Sequence, residues 1–153
     1  MDAADVIRAF DLAPLPDEGG HFRETYRSAH STAILYLLDA ASCSLFHRLA
    51  HDEVWHFHAG DPVELWLLRP DGAGERLVLG ADLAAGHAPQ AICPAGTWEG
   101  ARLAAGGRFA LMGCTVAPPF RPGCYETARR ADLLAAYPAF AAEVAALTGE
   151  EGP

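Results

Sequence analysis

The stretch Ser44-Leu45-Phe46-His47-Arg48-Leu49-Ala50-His51-Asp52-Glu53-Val54-Trp55-His56-Phe57-His58-Ala59-Gly60 decides how the chain is read. It gathers four of the seven histidines, two carboxylates and a tryptophan, and it runs into Asp61-Pro62 after its glycine. Imidazole and carboxylate crowded onto strand-forming sequence point to a site rather than a solvated surface.

Toward the C-terminus, Val63 to Arg69 reads as a strand, Pro70-Asp71-Gly72-Ala73-Gly74 as a turn and Glu75 to Leu79 as the returning strand of a hairpin. Gly80 to Gly86 is a loop, and His87 to Cys93 leads into the turn Pro94-Ala95-Gly96. Trp98 to Leu103 and Phe109 to Val116 are further strands, with Gly106-Gly107 expected as the hinge of a second hairpin. After Pro118-Pro119-Phe120-Arg121-Pro122-Gly123 the composition turns helical, from Arg129 to Leu147. Pro138 fits the first turn of a second helical piece, because an interior proline costs a helix roughly 3 kcal/mol. Gly149 to Pro153 reads as a frayed end.

Toward the N-terminus, Thr32 to Leu38 is a continuous apolar run of strand length, the pattern of a strand covered on both faces. From His21 to Arg27, Phe22, Glu24 and Tyr26 share one parity and His21, Arg23, Thr25 and Arg27 the other, which suits a pocket wall as well as a solvent face. Asp2 to Phe10 has helical spacing, and the prolines and glycines between Leu12 and Gly20 end it.

Composition narrows the function classes. The chain has 153 residues, 51% of them hydrophobic, enough for one domain with a real core. A formal net charge of -9 with eleven Lys plus Arg spread along the chain supplies no clustered basic surface, so no nucleic-acid partner is expected. No apolar run suits a membrane span and no signal core opens the chain, so a soluble, cytoplasmic protein is expected. Cys43, Cys93, Cys114 and Cys124 show neither zinc-ribbon spacing nor the density of a disulfide scaffold, and read as free thiols.

Many short strands with Gly/Pro turns and helices only at the ends imply an all-β fold, a compact barrel or jelly roll closing around an interior pocket. Two motifs then carry a resemblance. His47-Arg48-Leu49, Glu53 and Gly60 resemble the first cupin motif, H-x-H, three or four residues, E, six residues, G, and Pro94-Ala95-Gly96-Thr97-Trp98-Glu99 resembles the second, P-x-G-x-x-H. Asp17 to Ser28, Phe46 to Arg48, Asp52 to Phe57, Pro94 to Trp98 and Cys114 to Pro118 are similar to the small single-domain cupins of the fifth cupin family, in the RmlC-like superfamily. The resemblance implies a double-stranded β-helix, that is, a cupin jelly-roll barrel. One cupin domain would fill 1–153, with barrel core 21–118 and helical ends 2–11 and 128–147. It also implies a homodimer.

The departures shape the site. The second histidine of the first motif falls on Leu49 and that of the second motif on Glu99, leaving His47, Glu53 and Glu99 in register. That set is one imidazole short of a two-histidine, one-carboxylate triad, and His51 shares strand parity with the gap. The competing reading of Glu99 is a strand carboxylate facing solvent. His56 and His58 have parity opposite to Glu53, so a regular strand puts them outside the barrel unless a bulge re-aims them. Trp55 and Trp98 flank the motifs as ligand platforms or as core. Arg23 and Arg48 are the candidates for holding an anionic group, against ordinary surface charge.

Three functions stand side by side. A metal-dependent enzyme would bind one divalent ion (Fe, Mn, Ni or Zn) on His47, Glu53 and Glu99. A metal-free epimerase or isomerase would use His47 as base, tuned by Glu53, with Tyr36 or Tyr26 as acid. A binding module would hold a small sugar- or acid-like ligand without turnover, with Arg23, Tyr26, Arg48, Trp55, His56 and Trp98 as contacts.

Overall fold

A computed structural model describes residues 1–149; of the expected frayed end, 150–153 lie outside the described residues. The chain opens with α1 (Ala3–Phe10). Asp2 and Asp5 cap it reciprocally, each side chain accepting from the other's backbone N–H at 2.9 and 3.0 Å.

Among the described residues eleven strands follow: β1 (Ala13–Pro14), β2 (His21–Arg27), β3 (Thr32–Asp39), β4 (Ser44–Leu49), β5 (Asp52–Gly60), β6 (Val63–Leu68), β7 (Gly74–Leu79), β8 (Gln90–Cys93), β9 (Trp98–Leu103), β10 (Phe109–Ala117) and β11 (Tyr125–Thr127). They form two antiparallel sheets, one in the order β1-β2-β3-β10-β5-β8 and the other β11-β4-β9-β6-β7. The arrangement is a jelly roll. Its inner layer packs Tyr36, Leu38 and Trp55 of the first sheet against Leu65, Leu67 and Ala101 of the second.

The near-continuous apolar strands are explained by a second covering layer. In β6, Leu65 and Leu67 enter the inner core, while Trp66 and Leu68 meet Leu133, Tyr137 and Val144 of the C-terminal helices. Those helices are α2 (Arg130–Ala136) and α3 (Ala141–Ala146), and Pro138 opens the 3-10 turn between them, where its missing N–H costs no bond. In β3, Leu37 turns outward and is covered by Val6 of α1.

Two expectations fail for stated reasons. The β6–β7 hairpin forms, but Gly106-Gly107 is no hairpin: β9 pairs with β4 and β6, whereas β10 pairs with β3 and β5. The turn there carries the chain from one sheet to the other, and the same Gly-rich chemistry serves both connections. In β2, strict alternation breaks at Thr25, where the register slips between Glu24↔Ile34 and Tyr26↔Ala33. This one-residue bulge turns Tyr26 outward, 56% exposed, and brings Arg27 opposite Thr32, onto the pocket side.

Candidate functional site

Two sheets contribute to one buried cluster. His47 of β4 sits directly across from Glu99 of β9, and Glu53 reaches in from β5 of the opposite sheet. One donor atom from each of the three lies within 4.8 Å of the others. Their exposures are 2% for His47, 6% for Glu53 and 0% for Glu99, which rules out the solvent-facing reading of Glu99.

Each side chain is held by a specific contact. His47 Nδ1 lies 2.8 Å from the Leu45 carbonyl, which can only accept, so Nδ1 carries the hydrogen and Nε2 is aimed at Glu99 Oε1, 3.0 Å away. The Tyr125 ring stacks on the imidazole with centroids 5.2 Å apart. Trp55 donates Nε1–H to Glu99 Oε2 at 3.3 Å, so its indole anchors the carboxylate from the facing sheet. Glu53 Oε2 is buried with no hydrogen-bond partner among the described residues.

A fourth acidic residue, absent from the sequence-based set, completes the cluster. Glu18, on the loop before β2, sits with Oε2 3.8 Å from His47 Nε2 and accepts from the Ser44 hydroxyl at 2.9 Å. It belongs to neither motif, and its only sequence signal was its place within the family-like run from Asp17 to Ser28.

The electrostatics follow from burial and crowding. Burial works to lower the His47 pKa, but the Glu18 charge and the hydrogen bond to Glu99 outweigh it and push the imidazole up to about 9. Glu53 is raised well above the usual carboxylate range by burial and by the neighbouring Glu99 charge. Burial pushes Glu99 the same way, yet its hydrogen bonds with Glu53 and His47 prevail and pull it down to about 2. Crowding thus favours the neutral form of Glu53 beside an ionised Glu99. Burial likewise raises Glu18.

A cavity of about 180 Å³ opens above these groups. Glu18, His47, Glu53 and Cys114 form its floor; Leu15, Phe22, Ile34, Leu49, Val116 and Phe120 form its walls. Glu24 and Arg27, with side chains 37% and 44% exposed, sit at its mouth. A wider depression of about 550 Å³ lies elsewhere, between residues 39–43 and 102–107, and includes none of the buried cluster.

The remaining expected residues fall in other places. Tyr36 is buried beside the cluster, its hydroxyl donating to the Gly19 carbonyl at 2.8 Å. Trp55 lies behind the site, not on the cavity wall. Arg23, Tyr26, Arg48, His56 and Trp98 do not line the cavity. Arg48 pairs with Glu126 at 2.7 Å and lies 4.4 Å over the Trp98 ring, both on the face opposite His47 and Glu99, as alternation requires. His56 faces outward too, 3.1 Å from both Thr115 Oγ1 and Gln90 Nε2, with its ring stacked on His58. A register slip after Phe57 leaves His58 on that same outer side, so the bulge does not re-aim the pair. His51, in the turn between β4 and β5, stays outside the donor group.

A family model described as "Cupin superfamily (DUF985)" matches residues 4–128. Among solved structures, a protein from Shewanella oneidensis is 36% identical over 99% of each chain, with a TM-score of 0.91. A hypothetical protein from Leishmania major is 30% identical over 98% of this chain and 100% of its own, with a TM-score of 0.92. Bacillus subtilis oxalate decarboxylase is similar in fold alone, at 13% identity and a TM-score of 0.61, over 94% of this chain and 39% of the decarboxylase. No curated protein matches the chain.

Proposed function

This chain belongs to the cupin family described as "Cupin superfamily (DUF985)", and from that premise we propose that it is an enzyme whose His47, Glu53 and Glu99 hold one divalent metal ion beneath a small molecule bound in the barrel. The observation that carries the reading is the preformed donor group, with ligand atoms within 4.8 Å of one another and Glu53 Oε2 buried without a partner. Three carboxylates crowd one imidazole, with Glu53, Glu99 and the imidazole withdrawn from water, a place that a cation would relieve.

The chain's own groups would orient such an ion's surroundings. The Leu45 carbonyl fixes the His47 tautomer that leaves Nε2 free to ligate, and Trp55 fixes Glu99, the outer-shell support that metal centres use. When bound, a divalent ion supplies Lewis-acid polarisation of a carbonyl oxygen. Glu53 lines the cavity floor, where its carboxylate would serve both ion and ligand.

Metal content tests this directly. Protein reconstituted separately with Mn²⁺, Fe²⁺, Ni²⁺ and Zn²⁺, then dialysed, is expected to retain near-stoichiometric ion in elemental analysis for at least one of them. Retention of none would overturn the reading. A second expected outcome concerns protons. His47, raised to about 9, and Glu53, also raised, must both deprotonate to ligate. Ion uptake near neutral pH should therefore release about one to two protons, and affinity should climb roughly tenfold per pH unit for each proton released. Calorimetry in buffers of differing ionisation enthalpy measures this, and uptake without proton release would contradict ligation by these two groups.

The metal-free reading with His47 as base is less well supported. A buried imidazole raised to about 9 is already protonated at neutral pH, so it would act as a proton donor instead.

A further inference from the structure

We infer that the cavity takes an uncharged small molecule with an apolar body and a single polar head, a ketone, aldehyde or alcohol, and not a carboxylate or a sugar. This deepens the metal-centre reading and rests on it only for the seat of the polar head.

Size and lining set the body. A volume of about 180 Å³ equals roughly six waters at ~30 Å³ each, room for on the order of six to eight non-hydrogen atoms. The walls offer a ligand no hydrogen-bonding side chain. Thr32 also borders the cavity; its hydroxyl accepts from the Phe120 N–H at 3.0 Å and keeps a single O–H to donate, too little for the several hydroxyls of a sugar. A sugar would bury several hydroxyls here without partners, a loss an apolar body avoids.

Charge sets the head. Among the described residues, Arg27 is the one cation lining the cavity apart from His47. It is already committed, its Nε and Nη2 forked onto the Glu24 carboxylate at 2.8 and 2.7 Å and its Nη1 donating to the Phe120 carbonyl at 2.9 Å. Glu53 on the floor and Glu99 within the buried cluster would cancel the charge of a divalent ion, and Glu18 adds negative charge or none. No net positive charge remains for a carboxylate to meet, whichever protonation state Glu18 adopts. A neutral carbonyl or hydroxyl oxygen is what the floor can accept beside Glu53.

The test uses metal-reconstituted wild-type protein titrated with cyclohexanone, oxalate and glucose, with binding read by calorimetry or ligand-observed NMR. Cyclohexanone is expected to bind and the other two not to. Ile34→Phe, which fills the cavity from one wall, should weaken cyclohexanone by about tenfold or more without changing metal content; Val116→Phe, on the neighbouring strand of the same sheet, replaces it if that variant fails to fold. Oxalate or glucose binding ahead of cyclohexanone would overturn the inference while leaving the metal centre intact. So would no cyclohexanone binding up to its solubility. Cyclohexanone binding in a protein that retains no ion would instead uphold the cavity's chemistry and sink the metal reading.

Discussion

His47→Ala is expected to destabilise the metal-free protein by about 3–5 kcal/mol, as removal of one member of a buried ion pair does. His47 is the only basic group among the buried acids: its Nε2 lies 3.0 Å from Glu99 and 3.8 Å from Glu18, and Glu99 is 0% exposed. Without the imidazolium, Glu99 loses the partner that helps hold it ionised and must either stay charged in a dry site or take up a proton. Tyr125 also loses the ring it stacks on. The pH dependence has a definite sign. The folded pKa, about 9, lies above the ordinary histidine value of 6.5, so the stabilisation is fully present below the lower value and disappears as pH rises through the higher one. Urea melts of wild type and variant at pH 6 and pH 10 should thus show a large gap at the lower pH and a small one at the higher. A gap under about 1 kcal/mol at pH 6 would mean that the ion pair does not form. The same variant should lose metal affinity by at least about a hundredfold, since one of three ligands is gone.

The parts of the architecture legible in the sequence were those written in periodicity and spacing. The all-β core with helical ends followed from short strands and turns, and Pro138 was placed correctly because proline tolerates only a first turn. His47, Glu53 and Glu99 were found by motif register although Glu53 and Glu99 belong to motifs far apart in the chain, and the structure brings them together. What periodicity could not show is where it breaks. A single bulged residue, Thr25, exchanges the faces of Tyr26 and Arg27, so Tyr26, a candidate ligand contact, turns to solvent and Arg27 comes to the cavity mouth. Arg48 and Trp98 looked like site residues because they adjoin His47 and Glu99 in sequence, but in a strand the adjacent residue faces the other way. Glu18 was illegible for another reason: it comes from a loop with no period at all, and only that loop's backbone bonds bring it in.

Those bonds make Gly19→Ala the second large expected effect. Gly19 has φ +101, a region favourable to glycine, and a Cβ there would lie 2.3 Å from the Cys43 carbonyl oxygen, a backbone atom that cannot rotate aside. Its own carbonyl accepts from the Tyr36 hydroxyl at 2.8 Å, and next to it the Glu18 carbonyl accepts from the Leu45 N–H at 2.9 Å. Relieving the clash must lift this loop away from Cys43, and Glu18 goes with it. Stability should fall by about 3 kcal/mol, combining backbone strain with the lost loop contacts. The sharper readout is His47. Because the Glu18 charge is the largest influence raising its pKa, an NMR titration of the variant should place the His47 midpoint below its wild-type value, even where the protein stays folded. Gly72→Ala supplies the comparison: φ is +88 there, but nothing lies within 4 Å of the added carbon. It should cost only backbone strain, about 1–2 kcal/mol, and leave His47 unmoved. If the two variants matched in stability and in the His47 midpoint, the clash would be relieved without moving Glu18, and the loop would not be what positions that carboxylate.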